Sequence, residues 1–381
     1  MGGKHTIRNR MRNIFFRAGL ALFFCFFPAT LCAKDILSPA QIKNILKKFP
    51  QADINKDGVL DEQEQLAVKK ELEARREKKN SKNDGSKKAV SSKSVPASHV
   101  NERYGDQERN LFDIWIPPNA KNAPLVIAIH GGGFTGGDKS KWYGDKDIDL
   151  CLEKGIAYAC INYRYRTQSP GGILACLQDS KRALQYLRFS ADKYKLNKTK
   201  IACYGGSAGA GTSLWLAFHD DMADRRNEDK VLRESTRILA AAASSPQFTY
   251  DLKQWDSVFS FDHEQNKEEQ AKSDENYLNA YGITSFNELE TPAGMEKRKE
   301  LDFNAMISKD DPPCFVMSKL KDGVIKVGDL GHWYHHPKHA FILMENLKKN
   351  GVEYYAVIPE MKIAPEKEIT PVEFLIGYLL K

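Results

Sequence analysis

The stretch that most constrains the fold is Gly205-Gly206-Ser207-Ala208-Gly209, set between apolar runs at residues 200–204 and 210–218. It has the form G-x-S-x-G between a predicted buried strand and a predicted helix. The spacing has a steric reason. A serine on a tight strand-to-helix turn needs neighbours without bulk two positions either side, and the helix N-terminus then lies under any oxyanion that develops.

A second glycine turn, His130-Gly131-Gly132-Gly133-Phe134, closes the apolar run at residues 124–130. Glycines there let backbone N–H groups turn toward a carbonyl oxygen and supply the other half of an oxyanion hole. The two motifs lie about 75 residues apart, roughly the span of two β-α units. No phosphate-loop pattern competes with them. On these residues the chain resembles the α/β-hydrolase superfamily, and within it the HGGG-type esterases and lipases, feruloyl and acetyl esterases among them, over residues 101–381. The resemblance implies a doubly wound, mostly parallel sheet with helices on both faces. It also implies a Ser207 nucleophile acting on a carboxylic ester, with the N–H groups of Gly132, Gly133 and Ala208 as oxyanion donors. A small ester or an acylated polysaccharide is the implied substrate, with no cofactor needed for the chemistry.

The periodicity agrees with an α/β rhythm. Strands are predicted at 109–117, 125–130, 155–164, 200–204, 238–243, 312–318 and 351–359, the first of them alternating like a half-buried strand. Helices are predicted at 172–189, at 210–218 and from about Pro337. Residues 251–307 are polar and helix-leaning, which the resemblance makes a cap insertion. Its aromatics, such as Trp255, Phe259, Phe261, Tyr277 and Tyr281, pack on a substrate or on the core.

The resemblance places a catalytic acid after the 312–318 strand and a catalytic histidine after the 351–359 strand. Counting forward gives Asp322; counting back from the Pro337 helix, the nearest carboxylate is Asp329. The loop at 360–370 holds no histidine, and none follows His339. A serine hydroxyl without a base is a poor nucleophile at neutral pH. Two readings stand. In one, His332, His335, His336 or His339 serves Ser207, oriented by Asp322 or Asp329. In the other, the chain is a catalytically impaired binding or scaffold protein. The four histidines are also weighed as a metal site or as caps and surface groups, and His219 and His263 are assigned no role.

A chain of 381 residues suggests one large domain plus something small. Residues 1–33 carry a basic start (Lys4, Arg8, Arg10, Arg12, Arg17), a short apolar run and a small-residue site ending at Ala33. They read as a signal peptide for a secreted or periplasmic protein, with an uncleaved anchor or a lipid at Cys32 as the alternatives. Within 34–79, the loop Asp53, Asn55, Asp57, Gly58, Val59, Asp61, Glu64 fits D-x-[DN]-x-[DN]-G-x₅-E. Side-chain oxygens fall at the calcium-ligand positions, Val59 offers its backbone carbonyl, and Gly58 makes the turn. This resembles an EF-hand binding Ca²⁺. It stands alone, although EF-hands usually pair, so docking on the larger body, pairing with another chain and binding a protein partner are all open. Residues 80–98, rich in Lys, Ser, Asn and Gly, read as a flexible linker to the body at 99–381.

The net charge of +7 gathers at the N-terminus and the linker, with no basic stripe interleaved with aromatics, so a nucleic-acid surface is not expected. With Cys25 and Cys32 in the signal segment, Cys151, Cys160, Cys176, Cys203 and Cys314 remain. Most lie in apolar patterns, which allows at most one pair and no disulfide scaffold.

Overall fold

The computed structural model describes residues 95–260, 267–326 and 329–381. The expected signal segment, EF-hand ligands and most of the linker lie outside the described residues, as does Phe261. The strands are β1 (His99–Arg103), β2 (Leu111–Trp115), β3 (Ala123–Ile129), β4 (Ala157–Ile161), β5 (Leu196–Gly206), β6 (Ala241–Ser244), β7 (Cys314–Met317) and β8 (Tyr354–Val357). They form one sheet in the order β1-β2-β4-β3-β5-β6-β7-β8. The β1-β2 and β2-β4 pairs are antiparallel and every other pair is parallel. The helices are α1 (Lys146–Glu153), α2 (Ile173–Phe189), α3 (Ala208–Phe218), α4 (Lys267–Tyr281), α5 (Pro292–Leu301), α6 (Leu330–His335), α7 (Pro337–Asn350) and α8 (Pro371–Leu379).

Why this sheet is apolar on both faces follows from strand geometry, since alternate side chains point to opposite sides. In β3, Leu125, Ile127 and Ile129 enter one core with Leu177 and Leu184 of α2, Leu214 of α3 and Leu343 of α7. Val126 and Ala128 enter the other core with Ile148 of α1 and Leu375 of α8. Parallel strands buried on both sides read as continuous apolar runs. The doubly wound α/β-hydrolase fold expected from the sequence is the one observed.

The alternating pattern at 109–117 misled in one respect. Phe112, Asp113, Ile114 and Trp115 are all buried, so β2 has no solvated face. Asp113 tolerates burial because Lys139 Nζ lies 2.6 Å from its Oδ2 and the Asn101 N–H donates to Oδ1. The polar residue belongs to a buried ion pair. Trp255, Tyr277 and Tyr281 pack into the core, and Asp251 is tied to Arg298 and to the Tyr281 hydroxyl. All five cysteines of the body are free and buried.

The loop leaving β4 is pinned to α2 by a salt bridge. Asp179 accepts from the Arg164 backbone N–H and Nε at 2.9 Å and from Nη2 at 2.8 Å, with its side chain 5% exposed. Removing one partner strands a charge away from water. Asp179→Ala is expected to lower stability by about 3 kcal/mol, read in a denaturant melt of the full chain; a shift of only a few tenths would show the bridge to be dispensable.

Candidate active site

The site is assembled where parallel strands end at one level. Ile129 of β3 pairs with Gly205 of β5, and Gly206 pairs with Ser244 of β6. Three loops therefore start side by side at the carboxyl edge of the sheet, where open α/β sheets place their ligands.

Ser207 leaves β5 at φ 55, ψ −122, and α3 begins at the next residue. A non-glycine residue in that region is strained and persists only where its surroundings hold it. Here Ser207 N–H donates to the Ser244 carbonyl at 2.9 Å, and the Ser207 carbonyl accepts from Ala210 N–H at 2.9 Å. The flanking glycines are needed for close backbone approach. A Cβ on Gly209 would stand 2.0 Å from the Ile129 carbonyl oxygen, and one on Gly205 would stand 2.3 Å from the Gly209 carbonyl carbon.

The glycine turn lies directly against this elbow, since a Cβ on Gly131 would sit 2.6 Å from Gly206 O and 3.0 Å from Ser207 Cβ. Gly132, Gly133 and Phe134 follow at φ of 118, 60 and 60. Ala208 opens α3, so its N–H lies among those that have no acceptor within the helix. His130 itself is buried, stacks on Tyr163 at 4.3 Å, and has Nδ1 2.8 Å from the Gly131 carbonyl. Burial pushes its pKa down to about 4, so it is a neutral brace for the turn.

Of the four clustered histidines, the structure brings His335 to the serine. Its Nε2 lies 3.2 Å from Ser207 Oγ, and its Nδ1 lies 3.1 Å from the carbonyl oxygen of Ser245. A carbonyl only accepts, which places the proton on Nδ1 and leaves the Nε2 lone pair facing the hydroxyl. Ser245 is turned to φ 50 and its own N–H donates to Met317 O. Gln247, 5% exposed, donates from Nε2 to the Tyr334 carbonyl at 2.7 Å, and the same nitrogen lies 3.3 Å from Nδ1. Burial lowers the His335 pKa below the usual imidazole value, opposed by the Ser245 hydrogen bond. Chemically, this is a hydroxyl with a neutral imidazole positioned to take its proton.

The other expected site residues lie elsewhere. His332 Nε2 is 3.1 Å from Lys321 O, and its ring stacks on His336. Asp322 is 3.2 Å from His336 Nε2, and Asp329 caps α6 by accepting from the His332 N–H. His339 is fully buried against Trp255 and Phe259, with a pKa pushed down to about 3. Among the described residues no carboxylate bonds His335, and no three His, Cys, Asp or Glu side chains gather as a metal site. The histidine that meets Ser207 thus comes from a short helix ahead of α7, whereas the resemblance had placed one after β8. Ser245 and Gln247 were missed because a backbone carbonyl and a lone glutamine leave no motif.

Comparison with known proteins decides the family. The BD-FAE family model matches residues 112–329, more than half of the chain. The chain belongs to the BD-FAE family. That match takes in both glycine motifs and ends just before α6. Curated relatives are partial matches. "Isoprenylcysteine alpha-carbonyl methylesterase ICME" of Arabidopsis thaliana is 32% identical over 108 residues, covering 28% of this chain and 24% of that protein. "Probable carboxylic ester hydrolase LipM" of Mycobacterium tuberculosis is 32% identical over 144 residues, covering 36% and 32%. The matched stretches thus span about a quarter to a third of these relatives' length. Among solved structures, a truncated carbohydrate esterase from gut microbiota aligns over 77% of this chain and all of its own at TM-score 0.56 and 16% identity. A bifunctional GH43-CE protein of Bacteroides eggerthii aligns over 74% of this chain and 37% of its own, at TM-score 0.54 and 17% identity. At such identities these two establish the shared fold.

A charge placed beside Nδ1 reports directly on the imidazole. In Gln247→Glu, His335 should titrate about one to two pH units higher by NMR, because a carboxylate stabilises the protonated ring; an unmoved titration would remove Gln247 from the neighbourhood of Nδ1.

Proposed function

We propose that the chain is a serine hydrolase that cleaves carboxylic esters, with Ser207 as nucleophile and His335 as general base. The 3.2 Å approach of His335 Nε2 to Ser207 Oγ carries this reading. Ser207 Oγ adds to the ester carbonyl as its proton passes to Nε2. The N–H groups of Ala208, Gly132 and Gly133 hold the negative oxygen that forms. Collapse expels the alcohol, which takes the proton from the imidazolium and leaves Ser207 acylated. Water, deprotonated by the same nitrogen, then releases the acid. The family and the relatives' names support a small ester, with an acetyl or feruloyl group on a polysaccharide as one such substrate.

The neutral groups at Nδ1 set this site apart. A carbonyl orients the ring as a carboxylate would, yet stabilises the imidazolium less, which favours modest turnover. Export through the 1–33 segment and Ca²⁺ held by Asp53, Asn55, Asp57, Val59, Asp61 and Glu64 complete the proposal, both resting on sequence pattern.

Hydrolysis of 4-nitrophenyl acetate should fall about 10³-fold or more in Ser207→Ala and in His335→Ala, while His332→Ala stays within about threefold. Equal rates in wild type and Ser207→Ala would end the proposal. Because the base works unprotonated and burial lowers its pKa, the acid limb of kcat/KM should have its midpoint below about 6.5. Calcium titrated calorimetrically into the full chain should bind once, and Glu64→Gln should abolish that heat without stopping ester hydrolysis.

A further inference from the structure

The loop between β4 and α2 brings a cation to the site that the chemistry above does not use. Arg166 N–H donates at 2.7 Å to the carbonyl of Phe134, the residue that closes the glycine turn. Its guanidinium reaches the other wall, where Nη2 bonds Asn276 Oδ1 of α4 and the cation lies beside the Tyr334 hydroxyl. Tyr334 immediately precedes His335, and its carbonyl holds Gln247. Arg166 therefore spans from the oxyanion turn to the helix that carries the imidazole.

Several arginines here pair with carboxylates, whereas Arg188, its Nε buried without a partner among the described residues, bonds the Ser235 and Arg237 carbonyls. Arg164 pairs with Asp179, Arg182 with Asp229, Arg237 with Asp310 and Arg298 with Asp251. Arg166 faces an amide oxygen and a phenol, and its Nε is buried with no acceptor among the described residues. Burial disfavours its charge, yet a guanidinium stays protonated in proteins. Five donors in a rigid fork match a carboxylate bidentately. A partly desolvated cation without an anion is unfavourable by itself, and the arrangement becomes favourable once a ligand supplies the charge.

We infer that Arg166 is the anion-recognising element of the substrate pocket, and that the preferred ester carries a carboxylate on its acid or its alcohol half. The inference rests on the hydrolase reading of Ser207 and His335 and names the substrate class of that same site. The ester bond itself is cleaved as before; the carboxylate is bound and unchanged.

The test compares charged and neutral esters of similar size. On the alcohol side the pair is 4-acetoxybenzoate and 4-acetoxybenzamide; on the acid side it is mono-4-nitrophenyl adipate and 4-nitrophenyl hexanoate. Wild type should favour the anionic member of one pair by about tenfold or more in kcat/KM, and which pair responds identifies the half that carries the charge. Arg166→Gln should erase the preference mainly through KM, and Arg166→Lys, which keeps charge but not the fork, should retain part of it. Equal rates within both pairs, or a preference that survives Arg166→Gln, overturns the inference. Calorimetry on Ser207→Ala separates this failure from failure of the hydrolase reading. Binding of 4-hydroxybenzoate or adipate that disappears in the Ser207→Ala, Arg166→Gln double variant supports the anion subsite even where wild type cleaves no ester. Ester hydrolysis with no anion binding overturns the subsite alone.

Discussion

The site depends on how closely three stretches of backbone approach one another. Ile129 at the end of β3, the turn at Gly131 and the elbow around Ser207 lie so near that side chains at three positions would collide. Glycine at 131, 205 and 209 removes the obstruction, and the sheet register supplies the alignment by setting Ile129 beside Gly205. Packing alone then fixes where the serine hydroxyl stands and where the amides of the neighbouring turns gather. The strain at Ser207 is carried by hydrogen bonds from this frame, including its own N–H to the Ser244 carbonyl.

The imidazole is placed differently. It arrives on α6, a six-residue helix capped by Asp329, and is fixed by a carbonyl from the loop after β6. The loop that leaves the strand paired with the elbow strand thus supplies the group that sets the tautomer. A neutral orienting group keeps the site free of a buried negative charge. The Arg166 guanidinium is left as a charge near the pocket, and its nearest partners are neutral. Those two features bear on each other. Among the described residues no carboxylate bonds His335 or the Arg166 guanidinium, so none there competes with an incoming anion.

Much of the fold was legible because it follows from period and steric need. The apolar runs at β3, β4 and β5 and the two glycine motifs determine a parallel sheet with an elbow, and helices at 173–189 and from Pro337 fall where apolar spacing puts them. At β2 the same reasoning failed, because Asp113 looks like a solvated position and is in fact paired with Lys139 inside the protein. The site was half legible. Ser207 and its glycines announce themselves through spacing, whereas choosing His335 among four neighbours requires knowing which face of a short helix meets β5. Asp322 and Asp329 were reasonable by residue type, yet one binds His336 and the other caps a helix. A main-chain oxygen as orienting group is invisible to any reading of side chains.

That main-chain oxygen changes what mutation can reach. Where a side-chain acid orients the ring, a single codon change removes it; here the contact belongs to the peptide unit of residue 245, whatever its side chain. Variation at this position would be filtered by backbone shape, since φ 50 suits glycine or asparagine and penalises β-branched residues. A lineage is then free to exchange the serine's hydroxyl for other small groups while the imidazole keeps its bearing.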